Sequence, residues 1–279
     1  MLTVTRSKKE LRQAIGKLRT SGKTVALVPT MGALHEGHIS LVKLATQHAD
    51  AVAASIFVNP TQFGPNEDFA KYPRTEAEDI KALEAAECDI AYVPTVEEMY
   101  DKNATTTVQV GSITEELCGA FRPGHFDGVA TIVTKLFMQA QPDAAVFGEK
   151  DYQQLFVIRK LVADLDIPVK IIGAPIMREA DGLAMSSRNR YLSEQERKIA
   201  GVMNKTLHEA VGKLRKGGEI EKIIMQAKDA LLAGGFSKID YIDARDAKTL
   251  GKIDKIHKPA RLLAAAHIGK TRLIDNMEI

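Results

Sequence analysis

The chain contains no tryptophan and only two cysteines, Cys88 and Cys118, among 279 residues. Two cysteines with no C-x-x-C pair exclude a disulfide scaffold and fit a reducing compartment, where each reads as a small buried apolar residue. Net charge is scarce as well: 38 basic against 36 acidic residues leave +2. That balance argues against nucleic acid or an anionic membrane as the main partner, so any anion site has to be local. No apolar run approaches the roughly 20 residues of a membrane span. The opening MLTVTRSKKELRQ also places charge where a secretory signal needs its apolar core, so a cytoplasmic location is expected. Dinucleotide-type G-x-G-x-x-G is missing. SGKT at 21–24 ends like a P-loop, but the required first glycine falls at Lys17 and the segment precedes a strand-like run, so it reads as an exposed turn.

What is present is ample apolar material, 45% of the chain, enough for one large domain or two ordinary ones. Ser7 and Glu10 form a capping-box pattern ahead of Leu11, Ile15 and Leu18 at helical spacing. Strand-like runs at 24–28, 51–58, 89–93, 144–147 and 169–172 alternate with helical patterns after residue 38 and at 76–86, 128–140 and 153–163. Such alternation implies βαβ units and a mostly parallel sheet. Beyond residue 175 the texture changes. Helical patterns at 194–216 and 220–232 flank a Gly-Gly turn, and strand-like runs follow at 239–244, 261–268 and 271–277, the last two joined by Gly269-Lys270 as a hairpin. This α+β pattern sets a domain boundary near 174–178.

Three of the polar motifs follow directly on strand-like runs. In VPTMGALHEGH (28–38) the glycines allow a tight turn and close approach where a helix begins, a place that favours anions, and His35 and His38 lie three apart on its first turn. A metal site, a phosphate-handling site and an inert surface pair compete for these histidines. Zinc needs a third and usually a fourth ligand, and none lies nearby at the usual spacings. Phosphate handling by imidazolium donors beside a helix N-terminus is the favoured alternative. NPTQF (59–63) emerges at the carboxyl end of a strand, where ligands sit in open α/β sheets, although Asn59-Pro60 also makes an ordinary turn. FGEKDYQQ (147–154) supplies Lys150 as a positive donor, with Asp151 placed to cap the next helix. MREADGLAMSSRN (177–189) carries hydroxyls and Arg188 at the domain boundary, either as a loop closing on phosphates or as a linker. In RPGHFDG (122–128), Asp127 or Gly128 is placed to cap a helix, and the loop's role stays open.

Together PTMGALHEGH, FVNPTQF, RPGHFDGV, GEKDYQQ and READGLAMSSRN, in this order along nearly the whole chain, resemble the pantothenate synthetase (pantoate:β-alanine ligase) family. H-x-G-H alone indicates only the wider nucleotidyltransferase superfamily, which includes class I aminoacyl-tRNA synthetases. Their late K-M-S-K-S loop is replaced here by MSSR (185–188), with no lysine before the methionine. Two rivals stand beside the ligase reading: a nucleotidyltransferase that keeps the nucleotide on its product, and a nucleotide-binding regulatory module that has kept the fold.

The resemblance implies an α/β fold with a Rossmann-like, doubly wound parallel sheet at residues 1–175, binding nucleotide and pantoate. A smaller α+β C-terminal lid domain is implied at 176–279, along with a homodimer and an adenylate held in the cleft between domains. It implies condensation of pantoate with β-alanine through a pantoyl adenylate, releasing AMP and pyrophosphate. Carried over residue by residue, His38, His35, Lys150 and Arg188 are the expected catalytic groups, with His38 as proton donor. Expected ATP-binding positions are Met31, Gly32, Ala33, Leu34, His35, Glu36, Gly37 and His38 in the first motif. Gly148, Glu149, Lys150 and Asp151 continue the set, and Met177, Met185, Ser186, Ser187 and Arg188 complete it. Gln62 and Gln154 are expected to bind pantoate, with Gln62 also near β-alanine. No protein metal ligand is implied, because Mg²⁺ is expected to ride on the ATP phosphates.

Overall fold

The computed structural model describes residues 1–65, 67–256 and 259–279. The chain divides into two units, Met1–Glu149 with Gln154–Pro175, and Lys150–Gln153 with Ile176–Ile279.

In the first unit, β1 (Thr3–Thr5), β2 (Val25–Thr30), β3 (Ala51–Ile56), β4 (Ile90–Tyr92), β5 (Ala144–Gly148) and β6 (Lys170–Ala174) form one sheet in the order β1-β4-β3-β2-β5-β6. Every pairing is parallel. All of β3 and all but one residue of β2 are buried, as small and branched apolar runs are when helices cover both faces. The chain leaves β2 toward β3 on one side and later returns to the other side as β5. The strand order therefore reverses at β2 and β5, and in a doubly wound sheet the ligand crevice opens outside the carboxyl ends at that reversal.

The helices of this part of the chain are α1 (Lys8–Thr20), α2 (Glu36–Ala45), α3 (Glu76–Ala85), α4 (Val96–Met99), α5 (Cys118–Phe121), α6 (His125–Ala140) and α7 (Tyr152–Asp164). The Ser7 capping box is formed: Glu10 N–H donates to Ser7 Oγ at 3.2 Å, and Ser7 N–H to Glu10 Oε2 at 3.1 Å. SGKT is the exposed turn between α1 and β2, with Thr24 Oγ1 donating to Asp50 at 2.6 Å. The spacing places the start of α6 at Gly128, whereas the helix begins at His125 with Gly124 as its N-cap at φ 77°. Neither expected cap serves: the Asp127 carboxylate accepts from Gln109 Nε2 at 3.0 Å, and Gly128 lies inside the helix. β1, α4 and α5 span three or four residues each, too few to show a period.

The second unit packs α8 (Glu194–Ala200), α9 (Val202–Arg215) and α10 (Ile220–Ala233) with an antiparallel sheet of β7 (Lys238–Asp246), β8 (Ala260–Ile268) and β9 (Thr271–Glu278). Its core joins Met203, Leu207 and Leu214 of α9 and Leu231 of α10 to Leu262, Ala264 and Ala266 of β8. The pattern at 194–216 is two helices rather than one, because Gly201 donates to Ile199 O instead of four residues back. A Cβ there would stand 2.8 Å from Asp181 Oδ2. Among the described residues no helix is long and apolar enough to cross a membrane.

Both cysteines are buried. Burial pushes the Cys88 thiol up to about 12, well above the ordinary free-thiol value. Because the neutral form is favoured, folded protein at pH 8 should leave Cys88 unmodified by iodoacetamide, and denatured protein should label fully. Peptide mass mapping reads this directly, and labelling of folded Cys88 at a free-thiol rate would contradict its burial.

Candidate active site

β2 ends by handing its backbone to a turn that needs unusual geometry. Gly32 and Ala33 both take left-handed conformations, at φ 79° and 50°. A Cβ on Gly32 would meet Asp79 Oδ2 at 3.0 Å and Ile56 Cγ2 at 3.1 Å, so glycine is needed for space as well as for φ. Asp79 of α3, only 2% exposed, holds the turn. Its Oδ2 accepts from Ala33 N–H at 2.9 Å and its Oδ1 from Leu34 N–H at 2.7 Å, with Thr75 Oγ1 donating to Oδ1 at 3.2 Å. Asp79 belongs to none of the motifs that stand out in the sequence. The available signal is its position: Asp79, Leu83 and Ala86 repeat at helical spacing and all are buried, and a carboxylate on a buried stripe calls for partners.

The turn delivers His35 in extended conformation as the N-cap of α2. Gly37 N–H donates to His35 Nδ1 at 3.1 Å, and His35 N–H donates to His38 Nδ1 at 3.3 Å, a capping box built from two imidazoles. The ring centroids stand 4.1 Å apart. This corrects two expectations. His35 is the cap, outside the helix rather than on its first turn. The amides of His35, Gly37 and His38 are also already taken, the last by His35 O at 2.8 Å. An Nδ1 that accepts a hydrogen bond has no proton, so Nε2 carries it and each ring is a neutral Nε2–H donor rather than an imidazolium. Among the described residues no three His, Cys, Asp or Glu side chains come together as a metal-holding group.

The structure brings the first motif to the second. Gln62 ends a one-turn 3₁₀ helix, Pro60–Gln62, beyond β3 and is buried, and its Nε2 lies 3.1 Å from Met31 Sδ. Asn59 caps that turn, as an Asx-Pro turn should, and its Nδ2 also donates to Gln62 Oε1 at 3.1 Å. The RPGHFDG loop stands directly behind. His125 Nδ1 donates to Gln62 O at 2.8 Å, while Arg122 donates to His125 Nε2 at 2.9 Å and to both oxygens of Glu67 at 2.8 and 2.6 Å.

Gly148 closes β5, and Glu149, Lys150 and Asp151 form a one-turn 3₁₀ helix before α7. Lys150 Nζ lies 3.5 Å from Asp151 Oδ2, and Lys150 O accepts from Asn276 Nδ2 at 2.9 Å. Gln154, on the first turn of α7, is half-buried, and its neighbour Gln153 is fully buried.

In the second unit, Met177 to Met185 is a built hairpin. Arg178 and Ala184 bridge antiparallel, Met185 N–H donates to Met177 O at 3.0 Å, and Gly182 makes the bend at φ 89°. Arg178 is bidentate on buried Asp275 at 2.7 and 3.0 Å. Arg197 donates to Glu179 and Asp181, both contacts reaching 2.5 Å, and its guanidinium holds the Asp181 carboxyl below the usual carboxylate range. Ser186 caps the 3₁₀ turn Ser187–Tyr191, accepting from Arg188 N–H at 3.3 Å; Ser187 is buried and Arg188 half-buried.

The carboxyl edge of the β2–β5 reversal thus carries a histidine-capped helix and, beyond β3, buried amides, the edge at which a doubly wound sheet binds its ligand. The family model for pantoate-beta-alanine ligase matches residues 3–278. The chain is 53% identical over 276 residues to pantothenate synthetase from Paramagnetospirillum magneticum, covering 99% of this chain and 97% of that protein. It superposes on the crystal structure of pantothenate synthetase from Thermus thermophilus with a TM-score of 0.94 at 43% identity, covering 99% of each chain. A Francisella tularensis pantoate-beta-alanine ligase, solved in complex with beta-gamma ATP and beta-alanine, gives 0.83 at 34% identity, with 100% of this chain and 98% of that one covered. The chain belongs to the pantoate–β-alanine ligase family, enzymes that condense pantoate with β-alanine.

Asp79 makes this geometry testable. Asp79→Ala removes the carboxylate that accepts from the buried Ala33 and Leu34 N–H groups, and with hydrogen bonds to a charged group contributing about 1.5 to 3 kcal/mol each, urea denaturation should show a loss of about 2 to 5 kcal/mol. Asp79→Asn should lose less, since its amide oxygen still accepts from one of them. A stability unchanged in Asp79→Ala would mean that Asp79 does not clamp the turn.

Proposed function

We propose that the enzyme makes pantothenate through a pantoyl adenylate, with ATP as the activating substrate. The pantoate carboxylate attacks the α-phosphorus, forming a carboxyl–phosphate bond as the bond to pyrophosphate breaks. The amine of β-alanine then attacks the activated carbonyl, the carboxyl–phosphate bond breaks, AMP leaves, and the amine gives up a proton. Activation is needed because a carboxylate is a poor electrophile, whereas AMP is a good leaving group.

His38 and His35 donate through Nε2–H to phosphate oxygens as charge builds on them, and His38 is the proton donor. Fixed donors aimed at developing charge are the largest ordinary source of rate. Lys150 and Arg188 add positive charge. The backbone and side chains of Met31, Gly32, Ala33, Leu34, Glu36 and Gly37 contact ATP, as do those of Gly148, Glu149 and Asp151. Met177, Met185, Ser186 and Ser187 complete the nucleotide contacts. Gln62 and Gln154 bind pantoate, and Gln62 also lies near β-alanine. Mg²⁺ arrives on the ATP phosphates, the enzyme works as a homodimer, and it is cytoplasmic.

The observation that carries this reading is the imidazole pair at the strand reversal, with both Nδ1 atoms committed to backbone N–H groups. The second unit supports it with a hairpin braced by Arg178 and Arg197 rather than a slack linker. His38→Ala should lower pantoate-dependent exchange of pyrophosphate into ATP by about 10² or more, the scale of one transition-state donor, with the fold retained by circular dichroism. Exchange near the wild-type rate would exclude the proton-donor role. Incubating pantoate, β-alanine and ATP should give pantothenate, AMP and pyrophosphate in equal amounts, and ADP as the product would rule out the adenylate route.

A further inference from the structure

Glutamine is ambiguous as a recognition group, since its amide offers an oxygen acceptor on one side and an NH₂ donor on the other. Around Gln62 the neighbours remove that ambiguity, beginning with groups whose polarity cannot change. The Gly128 carbonyl is an obligate acceptor and lies 3.1 Å from one amide atom of Asn59, which must therefore be Nδ2. The other Asn59 atom accepts from Tyr100 OH at 2.8 Å and Thr61 Oγ1 at 3.0 Å, as Oδ1 must. Asn59 Nδ2 spends its second hydrogen on Gln62, so the Gln62 atom facing it, at 3.1 Å, is Oε1. Gln62 Nε2 is left on the opposite side, toward Met31 Sδ at 3.1 Å, a weak acceptor that an oxygen ligand outcompetes.

The helix that brings the Gly128 carbonyl can approach so closely only because residue 128 has no side chain. A Cβ there would stand 2.3 Å from Thr61 O and 2.7 Å from Gln62 Cα. His125, on the same helix, fixes the backbone of Gln62 through its carbonyl at 2.8 Å. Tyr100 OH stays a donor across the working range because burial raises its pKa.

We propose that Tyr100, Asn59 and Gly128 are positioning residues that lock Gln62 as a hydrogen-bond donor, so that Gln62 selects an oxygen acceptor, a carboxylate or hydroxyl of pantoate, and disfavours an ammonium group. The proposal rests on the reading that Gln62 faces pantoate and adds its polarity and the residues that set it. It also gives the RPGHFDG loop a function.

Steady-state kinetics of three variants tests both levels separately. Gln62→Leu removes the group and should raise the pantoate KM about tenfold to a hundredfold, with the ATP KM within twofold of wild type; an unchanged pantoate KM would overturn the premise that Gln62 faces pantoate. Gln62→Glu keeps an oxygen toward Asn59 Nδ2 and turns the outward donor into an anionic acceptor, so its pantoate KM should rise beyond that of Gln62→Leu. A Gln62→Glu variant that binds pantoate better than Gln62→Leu overturns the donor lock while leaving the pantoate site in place. Asn59→Asp puts an acceptor against Gln62 Oε1, so the amide turns over and the pantoate KM should rise at least tenfold at an unchanged ATP KM. Wild-type pantoate KM in folded Asn59→Asp overturns the positioning role. If Asn59→Asp does not fold, the ordering of Gln62→Glu and Gln62→Leu decides the matter alone.

Discussion

The site hangs on one carboxylate. Asp79 accepts from the N–H groups of Ala33 and Leu34, and those two bonds brace the turn after β2. A left-handed residue other than glycine costs roughly 1 to 2 kcal/mol, and Ala33 is one. Each hydrogen bond to a charged group contributes about 1.5 to 3 kcal/mol, so the pair offsets the strain. The next residues of the chain depend on the turn being made. It sends His35 out in extended conformation, which is the N-cap geometry, and the cap in turn seats His38. On its other side it leaves Met31 against Gln62. One buried acid thus places the two-histidine motif and connects it to the second motif.

Much of this is legible in the residues and some is not, for physical reasons. The alternation of apolar runs suffices for the parallel sheet, because burial on both faces makes β2 and β3 almost wholly apolar, with Thr30 and Ser55 as their polar residues. Ser7 with Glu10, and Gly269 before β9, are local signals whose partners lie within a few residues. VPTMGALHEGH, NPTQF and FGEKDYQQ sit at the ends of β2, β3 and β5, as their spacing implies, for the same reason, whereas RPGHFDG lies between α5 and α6. Asp79 is different: the backbone N–H groups it holds lie more than forty residues away in sequence, and on paper it is one more acid in a helix beginning EAED. Gly128 is different in another way. Its necessity arises from the Thr61 carbonyl 2.3 Å from the missing Cβ, a contact no periodicity encodes. The start of α6 escapes the spacing because glycine at 124 supplies a left-handed cap with no side-chain hydrogen bond, where the eye looks for Ser, Thr, Asp or Asn.

The two units stabilise their polar loops by different means. In the first, acceptors on side chains satisfy backbone donors, which costs little side-chain freedom and leaves few routes for the loop to shift. In the second, the 177–185 hairpin is braced by guanidinium groups: Arg178 forks onto a buried aspartate, and Arg197 spans Glu179 and Asp181. Exposed ion pairs contribute about 0 to 1 kcal/mol each, but Asp275 is almost fully enclosed and its pair is bidentate, the geometry in which such pairs hold shape. Glu179 serves twice, since its other oxygen accepts from Asn189 Nδ2 at 2.7 Å. The bracing therefore reaches from the hairpin into the turn that carries Ser187 and Arg188.

A common device runs through the first unit's polar side chains. Imidazole and carboxamide are ambidentate, able to donate or accept according to tautomer or rotation. At His35 and His38 a backbone N–H occupies Nδ1, and at Gln62 the relay from the Gly128 carbonyl occupies Oε1. Each side chain is thereby reduced to a donor. Donors suit carboxylates and phosphates, whose oxygens only accept. Neutral donors suit them for a further reason. Two imidazolium charges about 4 Å apart repel by roughly 4 kcal/mol at an effective dielectric of 20, and the ring centroids of His35 and His38 stand at 4.1 Å. A charged pair would force the rings apart before any anion arrived. A neutral pair holds its arrangement in advance, which is the condition under which fixed dipoles stabilise a transition state without reorganising.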